Sequence, residues 1–273
     1  MSNTSVAKYS SRLMVSGSIV ITCLVIAVIY FWSQAKAIEQ GMVEQEYHLS
    51  LENLSQKIDA RIASMKLIAF SLANDKHIHH WVDNGFAVNQ ESILVEKLGF
   101  LVNEYGLTSA SFADKNTHKY WNHEGFLRVL QAEVDTWYFA YLASNETDLI
   151  SVYHDKNNNR VDVYVNYQQP DGNGLSGIAT SFDGVVDMLT TSLFAEQGEV
   201  YLVDSVGQIQ VHANAEVAGN KRLQDLFVED TVDKILQPDS SQFIETDQPV
   251  NGLIGASYIP SMNWYVVVHV TKM

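Results

Sequence analysis

DTWYFAYLASN (135–145), followed by LISVYH (149–154), VDVYVNYQ (161–168) and LSGIATSF (175–182), decides the fold. The first run is apolar and aromatic without a β-branched stretch and predicts a helix. The other three are rich in Val, Ile, Tyr and Phe and predict strands. DKNNNR (155–160) and PDGNG (170–174) separate them and have turn composition. One helix laid on an antiparallel sheet follows. Its aromatics and the inward strand residues are placed to enclose a small pocket.

Upstream, VNQESILVEKLGFLVNEY (88–105) repeats its apolar residues with a helical period, and LTSASFAD (107–114) alternates as a strand does. Lys115-Asn116 turns the chain and THKYWN (117–122) returns it. Gly125 is read as opening a second helical region that reaches Asn145. Downstream, Asp183 is expected to cap a helix over DGVVDMLTTSLFAEQ, because its carboxylate can accept from free amides of the first turn. GEVYLVDSVGQIQVHAN (198–214) predicts two strands, GNKRLQDLF a short helix, and SQFIETD, GLIGASYIP and MNWYVVVHV three more strands. The fold class is therefore α+β with two antiparallel-sheet modules.

Leu51, Leu54, Ile58, Arg61, Met65, Ile68 and Leu72 alternate at spacings of three and four within a segment free of proline. They form a helical seam with one polar interruption. Packing on the chain's own domain and pairing with a second copy are both open for it. Before it, Val15–Trp32 is an 18-residue run without a charge, about the least that spans a bilayer as a helix. Lys8 and Arg12 precede the run, which puts the N-terminus in the cytoplasm. Ala35-Lys36-Ala37 resembles a cleavage site, but the run exceeds an ordinary signal-peptide core, so an uncleaved anchor is expected. The expected division is 1–14 cytoplasmic, 15–33 transmembrane, 34–75 stalk helix, 76–190 membrane-distal module and 191–273 membrane-proximal module.

The 273 residues carry a net charge of −15, a field that repels nucleic acid. The single cysteine, Cys23, lies inside the apolar run, so the exported part holds no disulfide. HIHHW (77–81) lacks a zinc-site spacing, DKNNN departs from a calcium loop at Arg160 and Asn166, and Gly172-Asn173-Gly174 lacks the Lys-Ser/Thr of a phosphate loop. No cofactor is expected and no catalytic motif is present.

GEVYLVDSVGQIQVHAN resembles the hairpin of the smaller module in double-Cache sensor domains, which are PAS-like and extracytoplasmic. GIATSFDGVVDML (177–189) resembles that family's junction between modules, and NWYVVVHV (263–270) its closing strand. The likeness covers about residues 34 to 273. It implies the input end of a chemoreceptor, sensor histidine kinase or cyclic-di-GMP enzyme. Ligand would bind in the distal module, and the signal would pass either to a cytoplasmic output domain of which this chain is the sensor fragment or to a partner of a free-standing anchored sensor. In the amino-acid-binding branch an Arg two residues before the Trp-Tyr pair grips the ligand carboxylate, and an Asp on the junction strand takes the amino group. Here those positions are Asp135 and Ala179.

Candidate ligand-binding residues are Asp135, Trp137 and Tyr138 from the helix, Tyr153, Tyr164 and Asn166 from the strands, and Ser111 and Asp114 from 107–114. On 161–168 the aliphatic face belongs in the core, which leaves Tyr164 and Asn166 for a pocket. An aromatic enclosure with one carboxylate suits a cationic or zwitterionic ligand. Trp137 and Tyr138 serve equally well as core residues under a sheet. A small-molecule sensor in the periplasm, dimeric through the long helix, is the first expectation. An anchored module that binds a periplasmic protein is the second, and an exported enzyme ranks last.

Overall fold

The structure, a computed structural model, describes residues 30–34, 42, 45–155, 160–192, 194, 198–214, 216–238, 241–246 and 252–271. The chain divides into two units, 1–49 and 50–273. In the first, residues 30–34, 42 and 45–49 are helical. The anchor expected over 15–33 lies outside the described residues except for 30–33, as does most of the DKNNN turn. No helix among the described residues is long and apolar enough to cross a membrane.

The second unit begins with helix α1 (50–73), which buries Leu51, Leu54, Ile58, Ile62, Met65, Ala69 and Leu72. Those positions recur every three or four residues, so one stripe faces the core. Five of the seven expected seam residues lie in this stripe, while Ile62 and Ala69 take the places expected for Arg61, which is exposed, and Ile68, which is half-buried. Arg61 donates to Thr180 at 2.8 Å. Asp75 caps α2 (Lys76–Asp83) by accepting from the amides of His77 and Ile78. Helix α3 (Val88–Tyr105) ends at Gly106, whose φ of 60° suits a glycine stop.

A six-stranded antiparallel sheet follows, built from β1 (Ser109–Asp114), β2 (Lys119–Asn122), β3 (Gly125–Val129), β4 (Asp148–Asp155), β5 (Arg160–Gln168) and β6 (Gly174–Ser181). Its strand order is β3-β2-β1-β6-β5-β4. Helix α4 (Thr136–Ser144) lies between β3 and β4 in sequence. Residues 125–129 correct the expected helical region. GFLRV is a strand paired to β2, and α4 begins only at Thr136. His123-Glu124 forms a tight turn and Gly125 takes φ 135°, a conformation that an L side chain rarely adopts.

The two faces of this sheet differ. Val163, Val165 and Ile178 are buried on the side that receives α1, where Phe70 meets Tyr167 edge-on. On that side Ser176 Oγ also donates to the Ala69 carbonyl at 2.6 Å. The opposite face carries α4, whose Tyr138 and Tyr141 cluster with Ala113, Leu130 and Leu175.

Helix α5 (Asp183–Thr190) is shorter than expected, and Asp183 lies inside it without a capping bond; Phe182 occupies the cap position. The second sheet contains β7 (Gly198–Asp204), β8 (Ile209–His212), β9 (Gln242–Thr246), β10 (Gly252–Ile259) and β11 (Trp264–Thr271), in the order β8-β7-β11-β10-β9. A 3-10 turn (Leu223–Asp225) and α6 (Glu229–Ile235), a helix the sequence reading missed, close its core. That core holds Tyr201, Val203, Leu223, Ile235, Ile254 and Val267.

Candidate functional site

Strand alternation sends every second residue of the first sheet toward α4. Two cross-strand rows result. Ser109, Ala179, Tyr164 and Ser151 form one; Ser111, Gly177, Asn166 and Leu149 form the next. At the centre of these rows stand the two smallest side chains, Gly177 and Ala179. A Cβ at Gly177 would come within 2.8 Å of both Asn166 Oδ1 and Ser111 Oγ. The sheet is therefore hollowed where those residues meet.

Above the hollow is a cavity of about 510 Å³, floored by both rows and walled by Tyr120, Arg128, Trp137 and Tyr153. Its size lies within the range of small-molecule sites. Ser111 donates to the Gly177 carbonyl at 3.0 Å, which fixes the hydroxyl at the floor. Trp137, on the first turn of α4, is 44% exposed and forms part of the rim.

Of the eight candidate residues, Ser111, Trp137, Tyr153, Tyr164 and Asn166 line the cavity. Asp114, Asp135 and Tyr138 are not among its lining residues. Asp114 ties the β1–β2 turn by accepting from the Thr117 amide and hydroxyl at 2.8 and 2.6 Å. Tyr138 is fully buried beneath α4 with its hydroxyl 3.3 Å from His118 Nδ1, and burial pushes its pKa far up.

Asp135 turns inward. Its Oδ1 accepts from Arg128 Nη2 at 2.5 Å and its Oδ2 from the Gln131 amide at 2.9 Å, leaving the residue 2% exposed. The Arg128 bond holds the carboxyl below the usual carboxylate range, and the same bond raises the guanidinium. Arg128 lies opposite Tyr120 on the neighbouring strand. Burial raises the Tyr120 phenol, partly offset by the Ser111 hydroxyl bonded to it and by the Arg128 charge. Arg128, Tyr120, Ser109, Ser151 and Leu149 escaped the sequence reading. GFLRV has no apolar–polar alternation, so nothing in the pattern marked Arg128 as a strand residue.

No protein-family model matches the chain. It is 27% identical over 141 residues to the methyl-accepting chemotaxis protein McpG of Pseudomonas putida, a match covering 50% of this chain and 22% of that protein. The chain thus matches about a fifth of that relative's length. Among solved structures, the extracellular domain of mmHK1S-Z2 aligns with a TM-score of 0.63 and 14% identity, over 85% of this chain and 98% of that one. The ligand-binding domain of the Pseudomonas aeruginosa amino-acid chemoreceptor PctC, in complex with GABA, aligns with a TM-score of 0.58 and 13% identity, over 84% and 98%. A long helix followed by two antiparallel sheets is common ground with these domains. The chain has the double-Cache fold of extracytoplasmic sensor domains.

Proposed function

We propose that this chain is the extracytoplasmic input domain of a bacterial membrane receptor and that the cavity on the first sheet holds its small-molecule ligand. The observation that carries this is the hollow over Gly177 and Ala179, open above a floor of hydroxyl and amide groups and walled by aromatics. PctC is a ligand-binding domain of the same fold that was solved with a small molecule, GABA. The resemblance to McpG supports a receptor context.

Strand β6 suits signal transfer. Gly177 and Ala179 face the cavity, while Ser176 and Thr180 bond to Ala69 and Arg61 of α1 on the other side. A ligand that draws α4 and the floor together moves the strand that α1 is fastened to. Such a ligand must favour one arrangement over another, since equal affinity for both shifts nothing. Pairing of two copies through the helix, a membrane anchor over 15–33 and a cytoplasmic output element belong to the same proposal.

The test is a thermal-shift screen of the full chain against amines, amino acids and organic acids. A binder raises the midpoint according to its concentration over Kd. The reading predicts a hit that Gly177→Val abolishes. A folded chain that no class of small molecule stabilises would sink it.

A further inference from the structure

We propose that the ligand is a small monocarboxylate without an ammonium group, gripped by Arg128, with Asp135 acting as the residue that positions this guanidinium. The inference rests on the sensor reading above and specifies its ligand. Among the described residues lining the cavity, Arg128 is the one with a formal charge, and none is acidic. Asp135, the carboxylate expected from the sequence to suit a cationic ligand, is buried, with both oxygens engaged by Arg128 and Gln131.

Arg128 is placed differently. Its side chain is 53% exposed while the paired carboxylate is 3% exposed. One of its five N–H donors is committed to Asp135, and the rest of the planar fork is available for a carboxylate, the geometry that guanidinium matches best. Asp135 holds that fork from behind. A ligand carboxylate in the cavity would stand nearer the guanidinium than the buried acid, so attraction outweighs repulsion.

The rest of the lining sets the remaining chemistry. Leu149, Trp137, Tyr153 and Tyr164 offer apolar and aromatic surface to the body of a ligand. At the floor Ser111, whose O–H is given to Gly177, can accept from a ligand hydroxyl, and the Asn166 amide can bond a hydroxyl or carbonyl. An ammonium placed there would meet no anion and would lose its hydration without an ionic partner. The chain's charge of −15 further opposes ligands carrying several negative charges, which favours one carboxylate over two or three.

The experiment is calorimetric titration of the full chain with matched sets: benzoate, benzamide, benzylamine and phenylalanine; then lactate, alanine and ethanolamine. Carboxylates without an amine are expected to bind, with phenylalanine, alanine and the amines at least about ten-fold weaker. Arg128→Gln should weaken the carboxylates by roughly 10- to 100-fold. Asp135→Asn should weaken them by about five-fold or more while leaving benzamide unchanged, and Asp135→Glu should restore part of the loss. A merely structural Asp135 would weaken both ligands alike. Circular dichroism of each variant establishes that it is folded. Tighter binding of amines or amino acids, lost in Gly177→Val, overturns this ligand class and leaves the sensor reading standing. Carboxylate binding indifferent to Arg128→Gln in a folded variant overturns it as well. Absence of any binder in a folded chain overturns both readings.

Discussion

Ser176 and Gly177 are neighbours on one strand that face opposite ways: Ser176 Oγ bonds the Ala69 carbonyl of α1 at 2.6 Å, and Gly177 floors the cavity. A strand only one residue thick thus separates the proposed ligand from the helix proposed to report it. Because successive strand residues alternate by construction, the two functions cannot be moved apart without shifting the register of the whole sheet.

Gly177→Val should close the cavity. Its Cβ would already crowd Asn166 Oδ1 and Ser111 Oγ at 2.8 Å, and two further methyls extend into the hollow. Overfilling a packed site costs about 1–3 kcal/mol, so a modest fall in thermal midpoint is expected along with complete loss of ligand-induced stabilisation. Ala179→Val, one row away, should give a weaker version of the same result. Retention of full ligand response in a folded Gly177→Val variant would place the ligand elsewhere.

Ser176→Ala removes the hydroxyl that donates to the Ala69 carbonyl. The residue is fully buried, so water cannot easily replace the bond. A loss of about 1–2 kcal/mol in urea denaturation is expected. Ligand affinity, measured by calorimetry, should change little, because the hydroxyl points away from the cavity. In a membrane receptor the response to ligand should be blunted. An unchanged urea midpoint would argue against the bond.

The sequence carried the sheet because its strands obey a simple physical rule. VDVYVNYQ alternates aliphatic and polar residues, and that alternation alone separates Val163 and Val165, packed toward α1, from Tyr164 and Asn166 at the cavity. Residues 125–129 were illegible for the opposite reason. Phe126, Leu127 and Val129 are all substantially exposed in an edge strand, so no alternation marks it. Asp135 misled because a carboxylate beside aromatics has two physical uses, and only the position of Arg128 selects the structural one.

Tyr138, Tyr141 and Tyr201 should titrate late. Burial raises the pKa of each well above the ordinary value of 10.0. Above pH 10 the unfolded chain loses these phenolic protons while the folded one keeps them. The folded state then holds more protons, so stability is fully present below pH 10 and falls as pH rises beyond it. Tyrosinate absorbance is expected to show these three among the phenols that ionise only together with unfolding. Tyr141→Phe should also cost about 1–2 kcal/mol, since its hydroxyl donates to the Thr147 carbonyl at 2.8 Å. Three tyrosines ionising freely in the folded state would contradict this.

Mild acid should destabilise the second sheet. His212 faces Glu199 across 4.0 Å, and His269 on β11 pairs with Glu199 on β7. Burial holds both histidines below the ordinary value of 6.5, and the Glu199 charge offsets this only in part. The unfolded chain therefore takes up protons near pH 6.5 before the folded one does. By linkage, stability is present above that pH and declines as pH falls through it, toward the folded values. The urea midpoint should drop between about pH 7.5 and 5.5, the range over which an ordinary histidine changes charge. Replacing both residues with glutamine should flatten the slope whatever it does to the absolute midpoint. Glu199→Gln should steepen it, because the carboxylate is what partly supports the charged imidazoles. A midpoint that rises on acidification, or a slope unaltered by the double replacement, would show that other groups govern the acid response.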